Sequence, residues 1–434
     1  MREMQAVKKE IKIGLIGLGT VGSGVVKVLQ MHREDFKTKI GVDLVLAKAV
    51  DRDKSKAGLL GLSDKIVEDD VSFIIDDPSI DIVIELIGGI NPAKEFILRA
   101  LNAGKNVVTA NKALMATHGE EIMKAAEGAG ADIAFEASVG GGIPIIHPLK
   151  ESLAANEISK VIGIVNGTTN FILSEMAERS IPFEEALEEA QRRGYAEADP
   201  TADVEGLDAA AKIAILASIA FNSRVTADKV FAEGIRKVTP KDIAYARDVG
   251  CAIKLLAIAA KRPDGIDVRV HPAMIPLSHP LASVGGVYNA IYVVGDSVGD
   301  VMFYGQGAGS LPAASAVVGD VIDIARRLAV GRQRSIGCTC FFEIPVRDHS
   351  ETVTKFYVRM LVADRPGVLA QIAKAFGDNE VSIESVIQKE TGERGAELVF
   401  ITHLVKEVNL QKALGEIREL EVVNEIASVI RVEG

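Results

Sequence analysis

The chain has 434 residues, of which 48% are hydrophobic and 25% are charged, proportions that are ordinary for a globular protein with a large buried core. With 49 basic and 60 acidic residues it has a formal net charge of −11 and no long basic run, which argues against nucleic acid as a partner. No apolar run reaches the roughly 18 residues that span a bilayer, and residues 1–12 lack a signal-peptide core, so we expect a cytoplasmic protein without a membrane partner.

The first third of the chain alternates predicted strands and helices. A β-branched strand at 11–16 is followed by a glycine-rich turn and a helix at 21–29. The pattern then continues with strands at 43–50, 81–87 and 106–110 and with helices at 92–102 and 118–129. Residues 33–41 look like an insertion. This alternation predicts a parallel sheet with helices on both faces.

The pattern changes near residue 147, after a run of three glycines. Long alanine-rich helices are predicted at 183–193 and 203–221, and strands at 268–270 and 288–294. These elements indicate an α+β domain that forms a pocket against the first one. A further helix at 312–329 is expected to pack back on the first domain.

A third pattern begins after the irregular residues 336–354. It has a strand at 356–362, a helix at 368–376, strands at 382–388 and 396–403, a helix at 410–420 and a strand at 426–432. The order βαββαβ over one short stretch is that of a ferredoxin-like module. The predicted fold class is therefore α/β, with a Rossmann-type parallel sheet, an α+β domain and a C-terminal ferredoxin-like domain.

Three glycines between the first strand and the first helix form the spacing G-x-G-x-x-G: Gly17, Gly19 and Gly22. In such a loop the first glycine permits a tight turn, the second lets the backbone approach a pyrophosphate, and the third allows close helix packing. The helix N-terminus adds N–H groups and a positive dipole. Because the glycines stand between a strand and a helix, we favour dinucleotide binding over a merely glycine-rich turn.

The acidic residue that holds a ribose hydroxyl in such domains is expected at the end of the second strand, where Asp51 stands. Its neighbours Arg52, Lys54 and Lys56 are alternative partners for a 2′-phosphate. For the two lysines a solvated surface position is the better interpretation. The residues therefore leave NAD and NADP open as the cofactor.

The helix predicted at 203–221 carries only two charges in its apolar part, Asp208 and Lys212, which share one face at spacing i, i+4. On an amphipathic helix this spacing would indicate a surface ion pair. A helix that is apolar all round is buried, however, and buried charges are costly without a purpose. Since desolvation can lower the pKa of a lysine toward neutrality, we interpret Lys212 as a candidate proton donor.

The loop before that helix contains Tyr195, Glu197, Asp199 and Asp203. Asp203 is a candidate N-cap for the helix. Carboxylates close to a buried lysine are equally suited to bind the amino group of an amino-acid-like substrate. The two interpretations are compatible.

The three cysteines, Cys251, Cys338 and Cys340, are an odd number in a long chain, which fits a reducing compartment better than a disulfide framework. Because Cys338 and Cys340 have no cluster of histidines or cysteines nearby, structural thiols are favoured over a metal site.

In combination these residues resemble homoserine dehydrogenases, and the resemblance spans residues 11–330. It rests on the segments 17–22 (GLGTVG), 108–113 (VTANKA), 136–144 (EASVGGGIP), 166–170 (NGTTN), 194–200 (GYAEADP, running on to Asp208 and Lys212) and 307–310 (GAGS). Enzymes of this family reduce L-aspartate 4-semialdehyde to L-homoserine with NADH or NADPH, in the pathway to threonine, methionine and isoleucine. The resemblance implies the same reaction here.

The resemblance also implies roles for individual residues. Lys212 would donate the proton to the aldehyde oxygen, with Asp208 nearby and Lys112 completing the polar site, where Lys112 would touch both substrate and cofactor. Glu197 would bind the substrate amino group. The other pocket positions implied are Thr168, Tyr195 and Asp203, and the further cofactor positions are Leu18, Thr20, Val21 and Gly309.

A monovalent cation, sodium or potassium, is implied at the glycine-rich turn. Its ligands would be the side chain of Glu136 and the backbone carbonyls of Val139, Gly141 and Ile143, and oxygen ligands suit such a hard ion.

Residues 364–369 (DRPGVL) resemble the first loop of ACT modules, which bind small amino acids at paired interfaces. This implies a regulatory domain that senses threonine, with an inert dimerisation module as the alternative. A homodimer or homotetramer is expected. The predicted domains are 1–147 for dinucleotide binding, 148–335 for substrate binding and dimerisation, a linker at 336–354, and 355–434 for regulation.

Two other functions are alternatives to homoserine dehydrogenase activity. A phosphorylating semialdehyde dehydrogenase would need a nucleophilic cysteine, and Cys251 stands in an apolar stretch without an adjacent histidine. A non-enzymatic sensor of nucleotide and amino acid would have no use for the Asp208 and Lys212 pair.

Overall fold

The structure of the chain is a computed structural model that describes residues 8–331, 337–389 and 395–433. Most of the predicted N-terminal segment 1–12 and the predicted boundary between 335 and 336 lie outside these residues. Among the described residues, no helix has both the length and the apolar character needed to span a bilayer.

The secondary structure is rich in both helices and strands. The strands are β1 Glu10–Ile16, β2 Asp43–Val50, β3 Val67–Glu68, β4 Ile82–Glu85, β5 Asn106–Thr109, β6 Ile133–Ala134, β7 Ile158–Ile164, β8 Phe231–Ala232, β9 Cys251–Arg262, β10 Gly265–Pro276, β11 Tyr288–Gly295, β12 Gly299–Gln306, β13 Val353–Val362, β14 Ile383–Lys389, β15 Ala396–Thr402, β16 Val405–Lys406 and β17 Val423–Val432. The helices are α1 Thr20–Met31, α2 Arg33–Ile40, α3 Lys56–Leu59, α4 Ser72–Ile75, α5 Ala93–Asn102, α6 Lys112–Ala129, α7 Gly167–Arg179, α8 Phe183–Arg192, α9 Thr201–Val204, α10 Leu207–Ala220, α11 Pro240–Asp248, α12 Ser310–Ala329, α13 Val368–Asp378 and α14 Glu407–Arg418.

The chain forms two compact units, each built from segments that are separated in sequence. The first unit contains residues 1–161, 211–228 and 289–344, and the second contains residues 162–210, 229–288 and 345–434.

The first unit contains the predicted parallel sheet. Its strand order is β3-β2-β1-β4-β5-β6, and the strand pairs are parallel. The order reverses between β1 and β4, and in such sheets ligands bind at the carboxyl ends of the strands next to this reversal. The segment that looked like an insertion, residues 33–41, forms the short helix α2.

Helix α12 packs against α1 in the core of the first unit. Val317, Val321 and Ile324 of α12 share a buried cluster with Val25 and Leu29 of α1. The two helices meet at Gly24, where a Cβ atom would lie 2.5 Å from the carbonyl oxygen of Ser310. Glycine is therefore required at residue 24 for this close approach.

The second unit contains the predicted ferredoxin-like domain and a long mixed sheet. Elements β13 to β17 follow the order βαββαβ, apart from the two-residue strand β16, around a core that includes Phe356, Phe376 and Phe400. The strands of the second unit are ordered β9-β10-β17-β13-β15-β14. Because β17 pairs in parallel with β10 through Ala273 and Met274, the ferredoxin-like sheet continues into β10.

Next to this junction the second unit buries a cluster of ionised groups around Arg269. The guanidinium donates to Asp267 Oδ2 at 2.6 Å, to a carboxylate oxygen of Glu433, and to His271 Nε2 at 3.1 Å. Burial lowers the pKa of Arg269, but the charges of Glu433 and Asp267 outweigh that effect and raise it. Burial and the nearby arginines hold the pKa of His271 well below its ordinary value, so its ring is neutral and can accept the bond.

Several elements differ from their predicted bounds. The single helix predicted at 203–221 is two helices, α9 and α10, because Gly206 between them has a φ of 79°. Helix α6 begins at Lys112, six residues before its predicted start at 118. Strand β9 was not predicted, since nine of its twelve residues are apolar or small and eight in succession are buried, so the alternation that marks a half-buried strand is missing.

Candidate nucleotide-binding and active site

The three glycines of the loop have different surroundings and therefore different structural roles. Gly17 has a φ of 102°, and a Cβ there would lie 3.0 Å from the backbone of Leu86. At Gly22 a Cβ would lie 1.9 Å from the carbonyl oxygen of Gly17, whereas at Gly19 it would meet nothing within 4 Å. The first and third glycines therefore serve the fold of the loop, and Gly19 leaves open space for a ligand.

Two helix N-termini lie side by side at this loop. Helix α1 begins at Thr20 and α12 at Ser310, and the Ser310 hydroxyl donates to the carbonyl of Thr20 at 2.6 Å. Their cap residues are Gly19 and Gly309, and among the described residues neither helix has a side-chain cap or an acidic residue in its first turn. Uncapped N–H groups and the positive ends of the helix dipoles favour a bound anion such as a pyrophosphate.

Asp51 stands at the end of β2 with its carboxylate already engaged. Oδ2 accepts the backbone N–H of Leu18 at 2.6 Å, and Oδ1 accepts that of Asp53 at 2.9 Å and the Lys56 ammonium at 3.0 Å. Burial raises the pKa of Asp51, but these donors outweigh it and leave the pKa below its ordinary value. Asp51 is thus an anion that anchors the glycine loop, while Arg52 is exposed.

A cleft of about 720 Å³ opens at the carboxyl ends of β1, β2 and β4. It is lined by Ile16, Gly17, Gly19, Val50, Asp51, Arg52, Asp53, Lys56, Asp69, Val71, Leu86, Ile87, Gly88, Asn91, Pro92 and Phe96. Four of the predicted cofactor residues, Gly17, Gly19, Asp51 and Arg52, are among them. The size and the position at the sheet reversal suit a dinucleotide.

Glu85 is a buried carboxylate at the end of β4 that the sequence reasoning missed. It accepts the N–H groups of Ile87 at 2.8 Å and Gly88 at 3.3 Å, and the hydroxyl of Thr109 at 2.8 Å. The signal in the sequence that could have identified Glu85 is an acidic residue at the end of an apolar strand. Next to Thr109 on β5, Lys112 is the first residue of α6 and is partly buried.

In the second unit, Asn166 joins two of the predicted carboxylates. Its amide Nδ2 donates to Asp203 Oδ1 at 2.7 Å and to Asp208 Oδ2 at 2.9 Å. Its Oδ1 accepts the N–H of Thr169 at 2.9 Å and so caps α7. In the sequence this asparagine is recognisable only as part of the motif 166–170. Its role depends on Asp203 and Asp208, which are far away along the chain.

The other predicted pocket residues range from buried to exposed. The Thr168 hydroxyl donates to the carbonyl of Tyr195 at 2.6 Å, and the Tyr195 ring packs edge-on against Phe171 with centroids 5.0 Å apart. Tyr195 is 43% exposed, and Glu197 is exposed as well. Asp203 belongs to the short helix α9 and does not directly precede α10.

The two charged residues of α10 are buried, as the apolar helix predicts. Asp208 is 7% exposed and Lys212 is 9% exposed. Their helix neighbours Ala209, Ile213 and Leu216 are buried as well.

The Glu136 carboxylate binds backbone N–H groups. Oε1 accepts from Ile145 at 2.5 Å and Ile146 at 2.7 Å, and Oε2 accepts from His147 at 2.7 Å. Glu136 also donates its own N–H to Asp320, whose pKa is raised well above its ordinary value by burial and by the charge of Glu136. Among the described residues, no cluster of three or more His, Cys, Asp or Glu side chains could hold a metal ion.

The loop of residues 364–367 is exposed in the C-terminal domain. Gly367 has a φ of 86° and is the cap residue of α13. A left-handed glycine before a helix leaves the first N–H groups accessible to a carboxylate.

Three family models match successive parts of this chain. The family model described as homoserine dehydrogenase, NAD binding domain, matches residues 17–136, that described as homoserine dehydrogenase matches residues 144–322, and the ACT domain model matches residues 356–422. A homoserine dehydrogenase of Synechocystis is 48% identical over 97% of this chain and 99% of its own length.

Two solved structures extend the comparison. A homoserine dehydrogenase from Thiobacillus denitrificans has a TM-score of 0.93 at 43% identity, covering 98% of this chain and 99% of its own. A hyperthermophilic archaeal homoserine dehydrogenase mutant, solved in complex with NADPH, has a TM-score of 0.62 at 27% identity and covers 72% of this chain and 97% of its own.

Proposed function

Since the chain belongs to the homoserine dehydrogenase family and is an NAD(P)-dependent oxidoreductase acting on a CH–OH group, we propose that it reduces L-aspartate 4-semialdehyde to L-homoserine with Lys212 as the proton donor. The single observation that carries the assignment of Lys212 is the burial of its ammonium group on a helix whose other charged residue is Asp208. Replacement of Lys212 by alanine, with turnover and cofactor binding measured separately, tests this assignment.

In the proposed mechanism, the bound nicotinamide cofactor supplies the hydride. Lys212 donates a proton to the aldehyde oxygen as negative charge develops there, and Lys112 adds positive charge to the same polar site. Asp208 accepts a hydrogen bond from the Asn166 amide and stands four residues before Lys212 on α10. Glu197 binds the substrate amino group, while Thr168, Tyr195 and Asp203 line the pocket.

A phosphorylating semialdehyde dehydrogenase finds less support. Burial raises the pKa of the Cys251 thiol, which disfavours the thiolate that such a mechanism requires. A phosphate-dependent acyl transfer that disappears in Cys251→Ser would reverse this judgement.

For the cofactor we propose NADP, because the Asp51 carboxylate is engaged and Arg52 is exposed at the cleft. A carboxylate already bound by two N–H groups and an ammonium has little capacity left for a ribose hydroxyl. An exposed guanidinium beside it suits a 2′-phosphate. Leu18, Thr20, Val21 and Gly309 complete the proposed cofactor contacts, together with the glycines of the loop and Lys112.

Arg52→Ala is expected to raise the KM for NADPH about tenfold or more and to leave the KM for NADH unchanged, since a hydrogen bond to a charged group contributes about 1.5–3 kcal/mol. Steady-state assays with both cofactors measure this. Lys54→Ala is the matched control, because the Lys54 ammonium is 3.3 Å from Glu68 and is expected to stay paired there. Equal changes for both cofactors in Arg52→Ala would argue that Arg52 does not contact the 2′-phosphate.

Gly19→Ala and Gly22→Ala are expected to separate ligand binding from folding. A Cβ at residue 19 meets open space, so the thermal midpoint should stay unchanged while the Kd for NADPH rises about tenfold or more through a clash with the pyrophosphate. A Cβ at residue 22 would overlap the Gly17 carbonyl, so this variant should lose binding and also about 1–3 kcal/mol of stability. Calorimetry and fluorescence titration of both proteins check the contrast, which fails if the two variants behave alike.

We also propose a monovalent cation, sodium or potassium, at Glu136, Val139, Gly141 and Ile143. All four residues are buried and would present oxygen ligands, which fit a hard cation. Because the carboxylate already accepts three N–H groups, the carbonyls are the main proposed ligands. The cation would stabilise the turn next to the nucleotide-binding sheet.

The C-terminal ACT domain supports regulation by an amino acid, and we propose threonine as the effector and a homodimer or homotetramer as the assembly. The exposed helix start at Gly367 is the proposed contact for the effector carboxylate. Threonine is expected to lower the rate of semialdehyde reduction in a steady-state titration. An unchanged rate at saturating threonine, with threonine still bound, would favour the inert dimerisation module instead.

The domain boundaries 1–147, 148–335, 336–354 and 355–434 remain our proposal.

A further inference from the structure

Two cysteines of the first unit lie outside the residues assigned to catalysis. Cys338 and Cys340 are both half-buried and line a small cavity of about 30 Å³. The polar residues that line the rest of the cavity are Lys150, Ser218, Arg224 and Thr339. Apart from the two thiols, two cations and two hydroxyl groups, the cavity is therefore apolar.

Both cations are close to the thiols. The guanidinium Nη2 of Arg224 lies 3.7 Å from Cys338 Sγ, and the Lys150 ammonium donates to the carbonyl of Gly337 at 3.4 Å, one residue before Cys338. Arg224 Nε is buried and, among the described residues, has no hydrogen-bond partner. A guanidinium that lies next to a sulfur atom and has a buried N–H group without a hydrogen-bond partner favours negative charge in this cavity.

The two sulfur atoms have different roles in the same hydrogen-bond arrangement. The Cys340 thiol lies 3.8 Å from the carbonyl oxygen of Ser218, to which it donates. Hydrogen bonding between the two sulfur groups and the charges of Arg224 and Lys150 lower the pKa of Cys338 below its ordinary value, although burial opposes them. The same hydrogen bonding and burial raise the pKa of Cys340, which keeps its proton. A thiolate with a protonated thiol two residues away combines a nucleophile with a resolving group.

We propose that Cys338 and Cys340 form a redox-active dithiol that reduces hydroperoxides. The Cys338 thiolate attacks one peroxide oxygen, so that an S–O bond forms, the O–O bond breaks, and the leaving hydroxide or alkoxide takes up a proton. Cys340 then attacks the sulfenic acid: an S–S bond forms, the S–O bond breaks, and water leaves with the thiol proton. The sulfur atoms are oxidised to a disulfide and the peroxide is reduced. Arg224 stabilises the thiolate and the sulfenate.

Oxidation of the full-length protein with one equivalent of hydrogen peroxide tests the chemistry by mass spectrometry. We expect the peptide with both cysteines to lose two hydrogen atoms and to regain them with dithiothreitol. Cys340→Ser should stop at a sulfenic acid on Cys338 that dimedone traps, and Cys338→Ser should give neither product. Cys251→Ser, the matched control, should behave as the unaltered chain, and dehydrogenase activity under reducing conditions shows that each variant is folded.

Alkylation rates give a second test that does not depend on disulfide formation. Cys338 should react with iodoacetamide about tenfold faster than Cys251 at pH 7, because its larger thiolate fraction outweighs the lower nucleophilicity of a low-pKa thiolate. Arg224→Gln should slow Cys338, and Arg224→Lys should retain most of its rate. Equal rates for Cys338 and Cys251, or a disulfide between chains as the main oxidation product, would overturn the proposal.

Discussion

Lys212→Ala is expected to lower kcat for semialdehyde reduction by about 10²–10⁴-fold, the usual contribution of a positioned general acid. Without the ammonium, no buried proton donor on α10 remains for the aldehyde oxygen. Binding of NADPH should survive, because the glycine loop and the Asp51 anchor do not involve α10. The measurements are steady-state kinetics and a fluorescence titration of the cofactor.

Lys254 provides a demanding control for this experiment. It is a second buried lysine, and burial lowers its pKa to about 8, so on electrostatic grounds alone it competes with Lys212 as the proton donor. Its ammonium, however, donates to the carbonyl of Val284 at 2.6 Å and to Asn170 at 3.3 Å, which gives it a structural role. Lys254→Met should therefore lose stability but keep most of its turnover. Normal activity in Lys212→Ala would refute the catalytic assignment.

Arg269→Ala is expected to lower the free energy of unfolding by about 3–5 kcal/mol, since removing one partner of a buried ion cluster leaves the other charges uncompensated. Arg269 is 2% exposed, and both Asp267 and Glu433 would lose their cation. Denaturant unfolding followed by circular dichroism measures the effect.

Arg347→Ala is the matched control for that variant. Arg347 pairs with Asp264 at 2.9 Å, but Asp264 is 64% exposed, so solvent screens this pair and its loss should cost less than about 1 kcal/mol. If both arginine variants shifted the midpoint equally, the buried cluster would have no special importance for stability.

The parts of the fold that were predicted from the sequence are those with local signals. The parallel sheet shows strand and helix periodicities in alternation, and the ferredoxin-like domain shows them in the order βαββαβ; the structure confirms both. Strand β9 was missed because burial on both faces removes its period of two. Gly206 was predicted to be part of a helix, because the residues around a glycine do not indicate whether its φ is positive.

In the candidate site, too, the residues with a local signal in the sequence could be predicted, and those whose role depends on distant residues could not. The burial of Asp208 and Lys212 could be predicted because their helix is apolar on every face. Asn166 and Glu85 could not be assigned, because their hydrogen bonds join residues that are distant in sequence. The engagement of Asp51 by Leu18 likewise depends on how β1 and β2 meet.

The pairing of β17 with β10 has a consequence for how this protein can be divided. Cutting the chain before β13 would remove β17 as well, and the edge of β10 at Ala273 and Met274 would become an unprotected strand that invites association with other molecules. The same cut would take Glu433 away from Arg269. The properties of a shortened protein would therefore reflect association and the loss of this ion pair. Point substitutions in the exposed 364–367 loop are better suited to separate effector binding from catalysis.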